Sequence, residues 1–263
     1  MSAKPYTEIV KDMENWVFGE QVVNKYKSKS LYISKSKTQN DRPRFQMANK
    51  NESPLRAPYG ISKPFDENEA DKERKSLDFS IDNQTLLEIL NQVDTNNLKL
   101  AEVNSEKWFG KKLSLPQIEF MYRRLVTHDS NGTYKPTFRT KVNTSQSDRR
   151  TRFFEVTENN GEVKYCETNH SVVVNGSKFF PIVEFSGFWF SAKSFGMTLD
   201  CTDTIVMPGI QREDFPFDFG NVKIKPKDKS EPSDLVENNM DIICTTNQDG
   251  DCKFVPPSGP HNE

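Results

Sequence analysis

The sequence predicts a mainly β protein, a small antiparallel barrel or sandwich with marginal helices, on three observations. Apolar residues recur with period two over most of 137–206, tight-turn pairs interrupt these runs, and helical spacing is confined to two stretches upstream. Short strands joined by tight turns, with a helix at the margin, give this class. The chain of 263 residues is polar, 34% hydrophobic and 28% charged, with a mean hydropathy of -0.77. Such a composition buries one core rather than the whole length. With 19 phenylalanines, that core is aromatic-rich.

Leu77, Phe79 and Ile81 alternate as a short first strand. A helix follows over Asp82–Thr95, where Leu86, Leu87, Leu90 and Val93 share one stripe behind Asp82 as N-cap. A second helix opens on a capping box, Ser114 with Gln117 three residues on, and places Ile118, Met121, Tyr122 and Leu125 on one packed face. Phe138, Thr140 and Val142 then alternate with Arg139 and Lys141, a half-buried strand with a basic outer face. Asn159-Asn160-Gly161 joins Thr151–Thr157 to Glu162–Cys166 as a hairpin, and Asn175-Gly176 joins Ser171–Val174 to Lys178–Phe190 as another. Phe195–Val206 is the last alternating run. Asp200, Asp203 and Asp214 announce the end of the sheet, and Pro208, Pro216, Pro226 and Pro232 a loosening chain.

The near-neutral total of -2 hides segregated charge. Val22–Pro64 carries ten bases against Asp41 and Glu52, net +8. Lys107–Phe154 carries eleven against Glu119, Asp129 and Asp148, again +8, and Ser230–Glu263 is net -6. The domain division is residues 1–44 as a basic, partly irregular arm, 45–220 as the folded, binding domain, and 221–263 as a flexible acidic tail. A basic body with an acidic tail is a partner-binding pattern, although a solvated face of any one segment would carry the same charges.

Several classes are excluded. No run of 18 apolar residues spans a membrane, and Met1–Lys11 lacks the apolar region of a secretory signal. Four cysteines are too sparse for a disulfide framework. The three histidines (His128, His170, His261) form no zincin pattern, and phosphate-loop, dinucleotide and nucleophile-elbow signatures are absent. Cys244 and Cys252 with His261 match no zinc spacing, and Asp200 with Asp203 suits turns better than Mg²⁺. The chain reads as a non-enzyme without cofactor or metal.

Basic strands interleaved with aromatics are the stronger signal. Lys135, Arg139 and Lys141 share one strand region. Arg149, Arg150 and Arg152 run into Phe153 and Phe154, with Tyr165 on the hairpin partner. A single nucleic-acid strand is held by cations along its phosphates and aromatic faces against its bases. Phe185, Trp189 and Phe195 are expected in the core. Phe153 and Phe154 are adjacent, point to opposite faces, and leave open which one meets ligand.

Four blocks in order resemble a protein family of nucleocytoplasmic large DNA viruses: Leu55–Ser62, Trp108–Ser114, Tyr134–Val142, and Phe185–Phe190 with Ser194–Thr198. The resemblance covers about 45–206. It implies kinship to single-stranded DNA-binding proteins of the OB-fold kind, including phage replication proteins with acidic C-terminal tails, and so an OB-like barrel. One departure stands out: where that family has Thr/Ser-Trp-Lys, this chain has Met197-Thr198-Leu199-Asp200.

The sequence thus points to a sequence-independent single-stranded DNA-binding protein acting in viral replication, recombination or repair. The expected contacts are Lys111, Lys112, Lys135, Arg139, Lys141, Arg149, Arg150 and Arg152 for phosphates, and Phe153, Phe154 and Tyr165 for bases. RNA is an alternative ligand, since these contacts do not read the 2′-OH. Viral replication proteins are the expected partners of the acidic tail, with oligomers allowed. The host cytoplasm, at the viral factory, is the expected location, with virion and host nucleus as alternatives. The rival readings are a virion structural or scaffold protein and a transcription or replication adaptor.

Overall fold

The computed structural model describes residues 3–23, 28–36, 41–49, 51–62, 74–145, 147–159, 162–207, 245–246 and 252–253. The chain divides into two compact units, Met1–Asp214 and Phe215–Glu263. In the second, β14 (Thr245–Thr246) pairs antiparallel with β15 (Cys252–Lys253). The prolines from Pro208 onward, Cys244, His261 and most of the acidic tail lie outside the described residues.

The first unit opens with β1 (Lys4–Pro5), α1 (Ile9–Met13), β2 (Val17–Val23), β3 (Lys29–Ser34), β4 (Arg44–Gln46) and β5 (Leu55–Arg56). Next come β6 (Arg74–Ser80), α2 (Gln84–Val103), α3 (Ser105–Phe109), α4 (Leu115–Met121), β7 (Tyr122–Arg123), β8 (Val126–Thr127) and β9 (Thr137–Asn143). A hairpin, β10 (Arg152–Asn159) and β11 (Glu162–Thr168), precedes the two longest strands, β12 (Lys178–Phe190) and β13 (Phe195–Met207).

The protein is mainly β, as predicted, but its sheet is mixed rather than antiparallel. β13 runs antiparallel to β12 and parallel to β7, β9 and β10. Pairings β12–β5, β5–β6, β6–β9, β9–β13 and β13–β12 close a ring, with β10 and β11 extending from β13 and β3 and β4 added on β12. The two long strands organise this ring because each runs for 13 residues, and register shifts near Ile182 and Phe185 let β12 change partners along its length.

The predicted arm is part of this sheet. Tyr6, Ile9, Trp16, Leu31 and Ile33 are all buried, and β1, β3 and β4 are hydrogen-bonded into the same sheet as β12. The Tyr6 hydroxyl donates to Glu52 at 2.7 Å and accepts from Asn83 at 2.9 Å, tying the N-terminus to the start of α2; burial, with Glu52, pushes its pKa up to about 12.

The helices depart from expectation at their ends. α2 is capped by Asn83, whose side chain accepts from Thr85 and Leu86 backbone N–H groups, and it runs to Val103 rather than Thr95 because Leu98 and Ala101 continue the buried stripe. It is 20 residues long. The capping box at Ser114 and Gln117 forms, but α4 ends at Met121 and Tyr122 begins a strand. Ser171–Val174 is no strand: His170–Val172 is a 3₁₀ turn, so the second predicted hairpin is absent.

The core is aromatic, as composition implied. Phe79, Phe138 and Phe179 cluster under the ring, Trp16, Phe45 and Phe185 beneath β4, and Trp108, Phe188, Phe190 and Phe195 beneath α3. Each such side chain contributes about 1.5–3 kcal/mol on burial. Phe185 and Phe195 are fully buried, while Trp189 is only partly covered. Among the described residues, no helix is long and apolar enough to cross a membrane.

Candidate nucleic-acid interface

A groove of about 710 Å³ lies across the outer face of β12 and β13. Lys35, Arg42 and Arg44 enter it from the N-terminal segment, and Lys141, Arg149, Arg150 and Arg152 from β9 and the turn into β10. Two stretches far apart in sequence therefore supply seven cations to one site. Strand alternation explains the placement: with Val142 buried, Lys141 points outward, in register with Asp200 on β13, which pairs in turn with Glu184 and then Arg44.

The floor is acidic. Arg42 donates through Nη1 to Glu184 at 2.9 Å and to Ser186 Oγ at 3.3 Å. Arg44 donates through Nη2 to Thr202 at 3.0 Å and to Asp203 Oδ2 at 2.5 Å. Arg152 reaches the other oxygen, Oδ1, through Nε at 2.7 Å. Asp200 and Asp203 therefore sit within a strand and do not end the sheet. Each guanidinium carries five N–H donors, so one bound to a floor carboxylate keeps donors for a second anion. The groove's charge is net positive, with Asp41, Asp148, Glu184, Asp200 and Asp203 opposing the seven bases.

Aromatic rings flank the cations. Tyr32 on β3 is 49% exposed, and the Arg42 guanidinium lies 5.2 Å from its ring centroid. Phe154 is half-buried with Arg152 5.5 Å from its centroid. Tyr165 is exposed on β11, on the same face of the hairpin as Phe154: it stands opposite Val156, and Phe154 opposite Glu167.

Not all the predicted residues join this site. Phe153 is a correction: it is 2% exposed and belongs to the core, on the opposite face of β10 from Phe154. Arg139 lies two residues along the outer face of β9 but is held by both oxygens of Asp78, at 2.6 and 2.8 Å, a bond that raises its pKa further. Lys135 pairs with Asp82 on the surface, whereas Arg150 lines the groove while also pairing with Glu167 at 2.7 Å. Lys111 and Lys112 are exposed at the α3–α4 turn, where Lys111 lines a different concavity. Sequence reasoning missed Tyr32 as a groove residue and assigned Lys35, Arg42 and Arg44 to a separate arm. The alternation of buried Leu31 and Ile33 about Tyr32 was the available signal.

Fold and groove together define a mainly β protein with a cationic, aromatic-flanked cleft across its two longest strands. The chain belongs to DUF5871, a family of unknown function, whose model matches residues 68–223. No curated protein matches it. Among solved structures it is similar to the single-stranded DNA-binding protein from bacteriophage Enc34 in complex with ssDNA, at 9% identity and a TM-score of 0.38, over 75% of this chain and 98% of that one. It is also similar to gp2.5, a single-stranded DNA-binding protein encoded by bacteriophage T7, at 15% identity and a TM-score of 0.41, over 75% of this chain and 100% of that one.

Proposed function

We propose that the chain binds single-stranded DNA without regard to sequence, in the groove across β12 and β13, as a protein of a large DNA virus acting in replication, recombination or repair. The observation that carries this reading is the convergence of seven cations from two distant segments on one groove flanked by Tyr32 and Phe154. Phosphates take the donors that the floor carboxylates leave unused, with release of counterions. Tyr32, Phe154 and Tyr165 offer faces to bases, each stacked base contributing about 1–3 kcal/mol. The floor carboxylates hold the guanidiniums in place before ligand arrives. A duplex hides its base faces, and the site is built from strands and turns rather than from a helix shaped for a major groove.

The same reading takes the closed ring of strand pairings as an OB-like barrel, and proteins of the replication machinery as partners of the acidic segment Ser230–Glu263. The viral factory in the host cytoplasm is where such a protein would act. Fluorescence titration with oligo-dT against a duplex of matched length tests the reading: tighter single-strand binding supports it, and equal or tighter duplex binding across salts overturns it.

A further inference from the structure

A second concavity, of about 1060 Å³, lies at the corner of α3 and α4. Lys29 on β3, Lys111 after α3 and Lys193 in the β12–β13 turn face it, and among the described residues no carboxylate lines it. The first groove differs here, since Glu184 and Asp203 on its floor hold Arg42, Arg44 and Arg152. Phe120 on α4 stands 86% exposed at its edge, the most exposed aromatic ring among the described residues. The helix beneath that ring is fixed, because Ile118 is fully buried and the capping box closes its first turn. Phe109 and Met121 are half-buried beside it, and Trp108 and Phe190 form a sealed floor.

The two concavities adjoin near the start of β3 but open on opposite faces of it, Tyr32 facing the first while Lys29, two residues from buried Leu31, faces the second. On β3, Ser30, Leu31 and Tyr32 line the first and Lys29 the second; on β12, Gly187 and Phe188 line the first and Phe190 the second. Three strand residues span roughly 10 Å. We propose that a single strand held in the arginine groove rounds the start of β3 into this concavity, where Phe120 stacks on a base and Lys29, Lys111 and Lys193 take phosphates. This rests on the proposed function and extends it to a second subsite. The chemistry favours a base over a peptide anchor. One rigid, nearly fully exposed ring over a sealed floor is a stacking platform, whereas peptide anchors fill desolvated pockets.

The test is titration of wild type, Phe120→Ala and Lys111→Ala/Lys193→Ala with oligo-dT of about 6 and about 20 nucleotides, bracketing typical site sizes. A 5-iodouracil-substituted long oligomer is then crosslinked and the adducts mapped. The expected result is that both variants bind the short oligomer as wild type does. Phe120→Ala should bind the long one about fivefold or more weakly, and wild-type crosslinks should fall on the α3–α4 corner. Long-oligomer binding by Phe120→Ala equal to wild type, equal losses at both lengths, or crosslinks only in the arginine groove overturn the second subsite while leaving the first. Failure of wild type to bind either length overturns the function itself. Capture of a peptide spanning residues 230–263 by wild type but not by Phe120→Ala, with long-oligomer binding unchanged, would make the corner a protein-docking site and overturn the proposal.

Discussion

Arg44 and Asp203, 159 positions apart in the chain, meet at 2.5 Å on the floor of the groove, and the same carboxylate holds Arg152 on its other oxygen. One buried acid thus orients two guanidiniums that remain partly exposed and competes with phosphate for them. Asp203→Asn removes the competing charge. It should tighten single-strand binding at low salt, where the Debye length is long, while lowering stability by about 1–2 kcal/mol, because these pairs are partly solvated. Oligo-dT affinity and the urea midpoint measure the two effects. Weaker binding at unchanged stability would show that Asp203 acts only by positioning.

Phe153 and Tyr32 separate packing from recognition. Phe153→Ala opens a cavity in the core and should cost about 3–5 kcal/mol of stability, with little change in affinity of the folded protein. Tyr32→Ala should leave the urea midpoint nearly unchanged and weaken oligo-dT binding by about 1–3 kcal/mol. The reverse pattern would refute the placement of both rings.

Gly187 sits at φ +145° where β12 pairs with β3, and a Cβ there would lie 1.9 Å from the Leu31 carbonyl oxygen. β3 approaches this closely only because the side chain is absent. Gly187→Ala should therefore displace β3, which carries Tyr32, and cost about 3 kcal/mol or more. A urea midpoint equal to wild type would contradict this.

Asp94 on α2 is fully buried and accepts from the Tyr122 hydroxyl at 2.7 Å and the Leu125 N–H at 3.0 Å, fastening the helix to the start of β7 and β8. Burial raises its pKa above the ordinary 3.8 despite these bonds. A carboxyl with a raised folded-state pKa binds its proton more tightly folded than unfolded, so its contribution is present below that range and is lost as pH rises through the folded value. The stability difference between wild type and Asp94→Asn, which does not ionise, should therefore fall from pH 4 to pH 7. Urea unfolding at both pH values checks it, and a difference that grows with pH contradicts it.

Much of the sheet was legible because period two survives in the sequence. The alternation of Phe138, Thr140 and Val142 with Arg139 and Lys141 gave β9 and its outward bases, and Asn159–Gly161 gave the β10–β11 hairpin. What stayed hidden depends on contacts between distant segments. Nothing local to Arg152 shows that β10 runs parallel to β13, or that Asp203 awaits it there. Adjacent Phe153 and Phe154 had to face opposite ways, but the strands around them decided which was buried. Lys35, Arg42 and Arg44 looked like an arm because a charged stretch hides the two residues, Leu31 and Ile33, that seat it in the core.

The most direct test of the nucleic-acid groove is the salt dependence of oligo-dT binding by wild type and by the triple variant Arg149→Ala/Arg150→Ala/Arg152→Ala. Wild type should bind oligo-dT with log affinity falling linearly in log salt. The folded triple variant should bind more weakly, with a slope flatter by about 1–3 units, up to one for each phosphate contact removed. An unchanged affinity and slope in a folded triple variant would contradict the assignment of this groove.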